Sequence, residues 1–404
     1  MIKEVKINNF KSVQDLTLSL SQFNVLIGSN GSGKSNILEA IAFGAAASAD
    51  KLDNEFLGSR GIRTADSRLM KSAFSAEAFS QAISLEFMVN EKQFPFTIEE
   101  QDKPILKWVV QEKIVVEERF SAILRNAFKE ELFNLIMEAD EDKDAEKLSS
   151  AIKQFVEKND AEAFNEAIKL MFGTASPIGD VYKRAYHNEI LANFIVYSPE
   201  ISSLRKFEEE SQIKPLGIKG EGLFNLLQIF NENYGPETIE EIKNYLNMIE
   251  WFDDFEAIDD KVSGRKSLVI KDRYIKDLSL NQNNVNEGFL FLLFYISLII
   301  SKETPFFFAI DNLEASFHPR LCQELTKNLI KLCHTYNKQV IITTHNPFVL
   351  DGLDLKDVNQ SLFVVTRNSE GETIANKIKK QPKDLKLSEA WMRGYIGGQP
   401  ETIE

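Results

Sequence analysis

The 404-residue sequence has little of what zinc-bound, disulfide-bonded or membrane-spanning proteins need. It contains two cysteines, four histidines and no CxxC pair, which leaves few ligands for a structural zinc site. Cys322 and Cys333 lie about three turns apart on one predicted helix, so we expect two free, buried thiols. The longest apolar run, residues 289–300, is far shorter than the roughly 20 residues of a membrane-spanning helix, and the N-terminus lacks a charged-then-apolar leader. These absences predict a cytoplasmic protein without membrane contact.

Basic residues are also in deficit, with 47 Lys and Arg against 61 Asp and Glu and a formal net charge of −14. Proteins that coat nucleic acid neutralise phosphates with clustered Lys and Arg, so this balance argues against a general coat. A local basic groove remains compatible with it, and DNA stays a candidate partner. Arg60 and Arg63, in the stretch SRGIR, either face phosphate or DNA or are ordinary solvated arginines.

The first 117 residues have the pattern of a β-rich lobe. Apolar and polar residues alternate from residue 2 and then form a continuous apolar run up to Gly28, which predicts two or three strands entering a buried sheet. Helix formers at helical spacing follow from Ser35. A second alternating stretch, residues 82–117, predicts an antiparallel meander.

Residues 118–196 change in character and predict an inserted helical arm. Between residues 118 and 171 the chain is rich in Ala, Glu, Lys, Leu and Phe, lacks proline, and repeats its apolar residues every three or four positions. Because no long heptad run is present, we expect a hairpin or small bundle rather than a coiled coil. The predicted domains are therefore residues 1–117, 118–196 and 197–404.

The pattern of the third segment, residues 197–404, predicts an α/β lobe. After a Gly- and Pro-marked connector it predicts a strand pair near residues 265–274, and then an alternation of long helices and short, fully apolar strands. The predicted helices are residues 288–301, 318–336 and 387–395, and the predicted strands are residues 305–310, 339–343 and one from residue 361. Strands that alternate with helices at this spacing pair in parallel through crossovers.

The strongest motif is GSNGSGKS at residues 28–35, placed between a predicted strand and a predicted helix. In such P-loops, glycines turn backbone N–H groups inward around phosphates, a lysine reaches the β- and γ-phosphates, and a hydroxyl binds Mg²⁺. The alternative is a glycine-rich structural turn without nucleotide. The motif therefore predicts an ATP and Mg²⁺ site whose residues are Asn30, Gly31, Ser32, Gly33, Lys34, Ser35 and Asn36.

A second motif, FFFAIDNLEASFHPRL at residues 306–321, is an apolar strand that ends in Asp311. A carboxylate at the end of a buried strand is fixed in direction and can hold the water shell of Mg²⁺. We therefore predict that Asp311 and Ser35 are the two metal-binding side chains.

Together these motifs resemble the ABC-type P-loop ATPases, the group that includes the structural-maintenance-of-chromosomes (SMC) proteins, the overcoming-lysogenization-defect (OLD) ATPases and related phage-defence ATPases. The resemblance rests on GSNGSGKS, IDNLEASFHP, TTHNPFVL at residues 343–350, the connector after residue 197 and the closing SEAWMRGYIGG. It implies an α/β ABC-ATPase-like head with a mixed or parallel core sheet, an N-terminal antiparallel β lobe and the inserted helical arm. It also implies two ATP sites that form when two copies meet head to tail.

Carried over by position, the resemblance implies roles for residues around the Walker B strand. Asp311 matches the Walker B aspartate, and His345 matches the switch histidine that senses the γ-phosphate. The next position usually holds a catalytic glutamate, but here it is Asn312, which cannot accept a proton as a carboxylate does. Glu314 either substitutes for this base or only positions the following helix. We therefore expect ATPase activity that is slow or impaired.

Three further site residues follow from the resemblance. The signature turn, which in the family contacts the partner's γ-phosphate, reads VNEGFLFLL here, with Asn286 and Gly288 as candidate contacts. The alternative for this segment is an ordinary helix N-cap. Lys11 lies where relatives place residues that touch the adenine or the phosphates.

No nuclease, protease or TOPRIM segment is recognisable after residue 350, unlike in the fused OLD nucleases. By resemblance to stand-alone defence ATPases of the Septu and PARIS types, we expect a scaffold or sensor that acts on a separate effector protein, for example a nuclease, in anti-phage defence. One alternative is a DNA-repair or chromosome-processing ATPase that hydrolyses ATP on DNA. Another is a purely structural ATP-bound oligomer.

Overall fold

The structure is a computed structural model that describes residues 1–63, 67–74, 79–101, 107–110, 190–207, 213–260, 265–313, 317–382 and 384–399. The predicted helical arm falls outside these ranges except for residues 190–196. Its helices and the three domain boundaries therefore stay predictions.

An antiparallel five-stranded sheet forms the N-terminal lobe, as the alternating pattern predicted. Its order is β2-β1-β4-β5-β6, and every neighbouring pair runs antiparallel. Inward-facing positions along β1 and β4 are apolar and buried, which is why the alternation was readable in the sequence. The strands are Ile2–Phe10 (β1), Val13–Ser19 (β2), Ile83–Val89 (β4), Lys92–Gln101 (β5) and Lys107–Val110 (β6).

A six-stranded central sheet carries the rest of the fold, in the order β14-β13-β3-β12-β11-β7. All its pairs are parallel except that of β13 with the edge strand β14, which confirms the predicted parallel core with crossovers. The strands are Phe23–Ile27 (β3), Val196–Tyr197 (β7), Phe307–Ile310 (β11), Gln339–Thr344 (β12), Gln360–Arg367 (β13) and Thr373–Lys377 (β14). Because β3 lies at the centre, the loop that follows it opens at the carboxyl edge of the sheet.

Helices cover both faces of the central sheet and complete two apolar cores. On one face α1 packs with the N-terminal lobe, and on the other α7 and α8 form a second core. Both cysteines are buried on α8 and neither takes part in a disulfide, as expected. The helices are Lys34–Ser48 (α1), Asn54–Ser59 (α2), Ser67–Met70 (α3), Ile201–Leu204 (α4), Leu223–Ile229 (α5), Pro236–Leu246 (α6), Glu287–Ile300 (α7), Pro319–Thr335 (α8), Pro347–Leu350 (α9) and Leu387–Met392 (α10).

A third sheet, β10-β9-β8, corrects the predicted strand pair near residues 265–274. That stretch is the single strand Arg265–Asp272 (β9), flanked by Phe252–Asp260 (β8) and Ile275–Leu280 (β10). Sequence reasoning missed β8 because its sequence, FDDFEAIDD, is strongly acidic, and it missed β10 because its first five residues are exposed. The edge strand β14 was missed for the same kind of reason, since TIANK is short and half polar. Within the described ranges, no helix is long and apolar enough to cross a membrane.

Candidate nucleotide-binding site

The P-loop, residues 28–33, connects β3 to α1 and is held from outside by the β13–β14 hairpin. Thr373 Oγ1 donates a hydrogen bond to the carbonyl of Ser32 at 3.0 Å. Arg367 Nε donates to the carbonyl of Gly31 at 2.8 Å. These contacts point loop carbonyls toward the hairpin and fix the loop's shape from residues more than 300 positions away in sequence.

Lys34 opens α1 and is only 6% exposed. Its Nζ donates to the carbonyl oxygens of Gly28 at 2.9 Å and Ser29 at 3.0 Å. The ammonium is therefore folded back over the first residues of the loop. Both of these acceptors are neutral, and a phosphate oxygen is a stronger acceptor for the same group.

Ser35 and Asp311, predicted as the metal-binding pair, do meet. Ser35 Oγ donates to Asp311 Oδ2 at 3.2 Å. The other carboxylate oxygen of Asp311 accepts a hydrogen bond from Thr343 Oγ1, at the end of the neighbouring strand β12. A buried strand, a neighbouring strand and the start of α1 thus hold this carboxylate in one direction.

Of the three residues predicted to act on water or on the γ-phosphate, Asn312 and His345 lie in the described part of the chain. Asn312 is exposed and adopts a left-handed backbone conformation (φ 59°), and its N–H donates to Thr343 Oγ1 at 2.9 Å. His345 is exposed directly after β12 and lines a cleft with the P-loop. Glu314 lies outside the described residues.

Lys11 lies at the side of α1 and forms an ion pair with Glu39. Glu39 is 2% exposed and also binds Arg63 through its second carboxylate oxygen. Arg63 reaches on to Asn36, whose amide in turn donates to Ser12 Oγ at 2.7 Å. Lys11 and Asn36 therefore belong to one polar network beside the P-loop helix.

Glu39, the centre of that network, is not among the site residues predicted from the sequence. The available signal was a single acid in the otherwise apolar helix stretch ILEAIAFGAAA. A lone charge among buried positions usually has a partner.

Arg60, the other arginine of SRGIR, lies outside this network. It covers the ring of Phe56, and burial lowers the pKa of its guanidinium.

Asn286 and Gly288 lie at the start of α7. Asn286 Oδ1 accepts a hydrogen bond from the N–H of Phe289 at 2.9 Å, so this side chain is the N-cap of the helix. Its NH₂ group remains a donor at an exposed position. Neither residue is among the described residues that line the cleft of the same chain.

The P-loop forms one wall of a cleft of about 1170 Å³, which we call the P-loop cleft. This volume is somewhat above the roughly 300–1,000 Å³ that small-molecule sites usually have. The residues that line it are Gly28, Ser29, Asn30, Gly31, Ser32, His345, Pro347, Thr366, Arg367, Asn368, Ser369, Trp391, Met392, Gly398 and Gln399.

The donors near the loop fit Mg²⁺ better than a softer metal. In the described part of the chain, no group of three or more His, Cys, Asp or Glu side chains could form a protein-built metal cage. The hydroxyl of Ser35 and the carboxylate of Asp311 are hard oxygen ligands. Mg²⁺ commonly takes one or two such ligands and completes its shell with phosphate oxygens and water.

The loop between strand and helix, its lysine and the aspartate at a strand end define a P-loop ATPase. The sequence matches the family model described as AAA ATPase domain over residues 1–350, and the chain belongs to this family. No curated protein matches the chain.

The fold is similar to that of a solved SMC head domain. The Smc head bound to the C-winged helix domain of ScpA is 13% identical, with a TM-score of 0.52 over 93% of this chain and 98% of that one. The SMC head domain of Thermotoga maritima is 14% identical (TM-score 0.44, 94% and 99% covered). The Smc head with an extended coiled coil, bound to the C-terminal domain of ScpA from Pyrococcus furiosus, is also 14% identical (TM-score 0.47, 98% of each covered). The chain is therefore a P-loop ATPase of the AAA ATPase domain family, and its α/β fold is the one predicted for the head.

Proposed function

We propose that this chain binds ATP with Mg²⁺ and uses it as an assembly switch. The observation that carries the proposal is the contact between Ser35 Oγ and Asp311 Oδ2, which joins side chains 276 positions apart next to the P-loop lysine. In this proposal the N–H groups of residues 30–35 surround the phosphates and Lys34 neutralises the β- and γ-phosphates. Ser35 and Asp311 hold the metal, which would neutralise phosphate charge.

In this proposal the chain binds ATP but hydrolyses it slowly. Asn312 stands where a carboxylate normally orients and deprotonates the attacking water, and losing a general base typically costs ~10²–10⁴ in rate. His345, exposed on the cleft wall, is the proposed sensor of the γ-phosphate. Glu314 is the nearest acid in sequence that could act as base, at a reduced rate.

Dimerisation completes the switch. Asn286 and Gly288 begin an apolar 14-residue helix whose positive end is directed at an exposed surface. In a head-to-tail dimer this end would bind the γ-phosphate held by the partner's P-loop. Because the dimer would give ATP contacts that a single chain lacks, nucleotide stabilises the dimer by mass action, and slow turnover prolongs it.

The biological setting that we propose is that of a scaffold or sensor for a separate effector protein in anti-phage defence. What supports it is the resemblance to stand-alone defence ATPases. The clearest test of the partner is copurification from the native host followed by identification of the bound chain, once with ATP and once with ADP. A nuclease or other effector held in a nucleotide-dependent way is the expected result, and a partner bound equally in both states would contradict the switch.

The ATP switch itself is tested with Lys34→Ala, and Lys327→Ala serves as the control because Lys327 is an exposed lysine on α8. Removing a charged hydrogen-bond donor should weaken ATP binding about 10–100-fold, measured by calorimetry with Mg²⁺. Light scattering should then show ATP-dependent dimers for the wild type and the control but not for Lys34→Ala. Unchanged ATP affinity in Lys34→Ala would remove the P-loop role.

A further inference from the structure

The C-terminal segment, residues 387–399, forms a second wall of the P-loop cleft. It consists of α10 and the residues that follow, and Trp391, Met392, Gly398 and Gln399 all line the cleft. The sequence motif that it carries, SEAWMRGYIGG, has no role in the function proposed above.

Hydrogen bonds tie this segment to the helix that follows His345. Ser388 donates to the carboxylate of Asp351 through both its N–H (3.0 Å) and its Oγ (2.8 Å). Asp351 directly follows α9, which starts two residues after His345. At the other end of the segment, Gln399 Nε2 donates to the carbonyl of Trp391 at 2.8 Å. These hydrogen bonds hold residues 387–399 in a defined position next to α9.

The segment also touches the first residue of the P-loop. Gly398 has a left-handed backbone (φ 77°), and a Cβ atom there would lie 2.7 Å from Val364 Cγ1 and 3.5 Å from the Cα of Gly28. Only glycine fits this position without displacing a neighbour. One short segment therefore contacts both the P-loop and the helix after His345.

Trp391, in this wall of the cleft, has a buried N–H group that no hydrogen bond within the described part of the chain satisfies. It is only 5% exposed, yet among the described residues its indole Nε1 has no hydrogen-bond acceptor. The indole N–H can only donate, and native structures rarely leave a buried donor unsatisfied. Gly398 covers it, since a Cβ at that residue would lie 3.5 Å from Nε1. Because residue 397 is also glycine, a small backbone shift there would open the N–H to the cleft.

We propose that the indole N–H of Trp391 donates a hydrogen bond to a phosphate oxygen of the bound nucleoside triphosphate, and that Gly398 moves aside when it does so. This inference rests on the proposed function and adds a contact outside the P-loop and Walker B motifs. A nucleotide phosphate is favoured over a base because Gly398, which covers the indole N–H, also lies against Gly28, the residue that opens the P-loop. Arg367 adds positive charge to the same cleft, and its guanidinium contacts the neutral carbonyls of Gly31 and Gly371.

The test is Trp391→Phe in the full chain, which keeps a buried aromatic ring and removes the N–H. Binding of ATP, ADP and inorganic triphosphate, each with Mg²⁺, is measured by calorimetry, and thermal unfolding is measured without nucleotide. We expect about a tenfold loss of affinity for ATP and for inorganic triphosphate. The unfolding midpoint without nucleotide should fall by only about 2–4 °C, because the smaller ring leaves a small cavity but the lost N–H had no partner. Trp251→Phe, a partly buried ring that packs against the core beside α7, is the control and should bind like the wild type.

The outcomes separate this inference from the function beneath it. Wild-type ATP affinity in Trp391→Phe would overturn the inference alone, whereas a wild-type chain that binds no ATP would overturn the proposed function. A loss for ATP with unchanged triphosphate binding would overturn the assignment to phosphate. A much larger fall of the unfolding midpoint without nucleotide would mark Trp391 as structural and overturn the inference. As a second readout, the emission of Trp391 in a Trp108→Phe, Trp251→Phe background should change when ATP is added, and constant emission would count against the inference.

Discussion

Thr373, on the edge strand β14, packs so closely on Gly33 that a Cβ atom at Gly33 would lie 2.0 Å from Thr373 Oγ1. The same hydroxyl donates to the carbonyl of Ser32 and accepts a 2.7 Å hydrogen bond from Ser12 Oγ. Ser12 accepts in turn from the amide of Asn36. A continuous chain of hydrogen bonds therefore links the first turn of α1, the β1–β2 connection and the P-loop.

Gly33→Ala should destabilise the protein by about 2–5 kcal/mol, because it adds left-handed backbone strain (φ 107°) to a steric overlap with Thr373. Gly31→Ala is the matched control. Gly31 is also left-handed (φ 77°), but no atom of the described residues lies within 4 Å of a Cβ placed there. It should cost only about 1–2 kcal/mol. Urea unfolding without nucleotide measures both, and equal losses would show that β14 does not constrain the loop.

The buried carboxylate of Glu39 supplies a second prediction. Glu39→Gln leaves the ammonium of Lys11, whose side chain is 13% exposed, without its counter-charge. Breaking one side of a buried pair costs about 3–5 kcal/mol. Arg63→Ala removes the other partner of Glu39, but the Arg63 side chain is 70% exposed, so we expect a loss of about 1 kcal/mol or less. Chemical denaturation compares the two, and a larger loss for Arg63→Ala would reverse the assignment.

The buried lysine Lys338 should make the stability of the protein depend on pH. It is 5% exposed and donates to the carbonyl of Thr304 at 2.7 Å, and burial lowers its pKa to about 8. The unfolded chain keeps this proton up to about pH 10.4, so between these values the unfolded state binds more protons and the unfolding free energy rises with pH. From pH 7.5 to 9 the gain from Lys338 should be about 1 kcal/mol.

Denaturation at several pH values in this window, on the wild type and Lys338→Met, isolates that contribution. Burial raises the pKa of the Cys333 thiol, which works in the opposite direction above about pH 8.5, but it does so in both proteins and cancels in the difference. Lys327→Met, at an exposed site on α8, should keep the wild-type slope. An identical slope in Lys338→Met would show that the lysine stays charged in the folded protein.

The elements that the sequence predicted are those with strong local patterns. The P-loop was readable because glycine spacing, an apolar strand and a helix lie within about 25 residues, and α7 because 12 consecutive residues from Phe289 are buried and all but one of them are apolar. Asp311 could be predicted to lie beside Ser35 for two reasons. It ends an apolar strand of a predicted parallel sheet, and its position matches the Walker B aspartate of the ATPases that the sequence resembles.

What the sequence could not supply are contacts between distant, individually ordinary residues. Glu39 meets Lys11 and Arg63 only after β1 and the chain beyond α2 pack against α1. Trp391 joins the cleft only because the central sheet brings residues 387–399 to the P-loop, some 360 positions earlier. Edge strands such as β14 were lost because half-exposed, partly polar segments carry a weak alternation.

Asn312 carries the prediction about turnover. Its left-handed backbone (φ 59°) is a conformation that asparagine tolerates better than glutamate, so Asn312→Glu should cost about 1 kcal/mol of stability. If a missing general base limits hydrolysis, the new carboxylate should raise phosphate release under saturating ATP and Mg²⁺ by about 10²-fold or more. Asn312→Gln is the control, because it has the same length and backbone strain but cannot take a proton. A gain in the glutamate variant alone identifies the base as the limiting feature. Equal rates in all three proteins would mean instead that the position of the attacking water limits turnover, and that the Asn312 substitution is not the cause of slow hydrolysis.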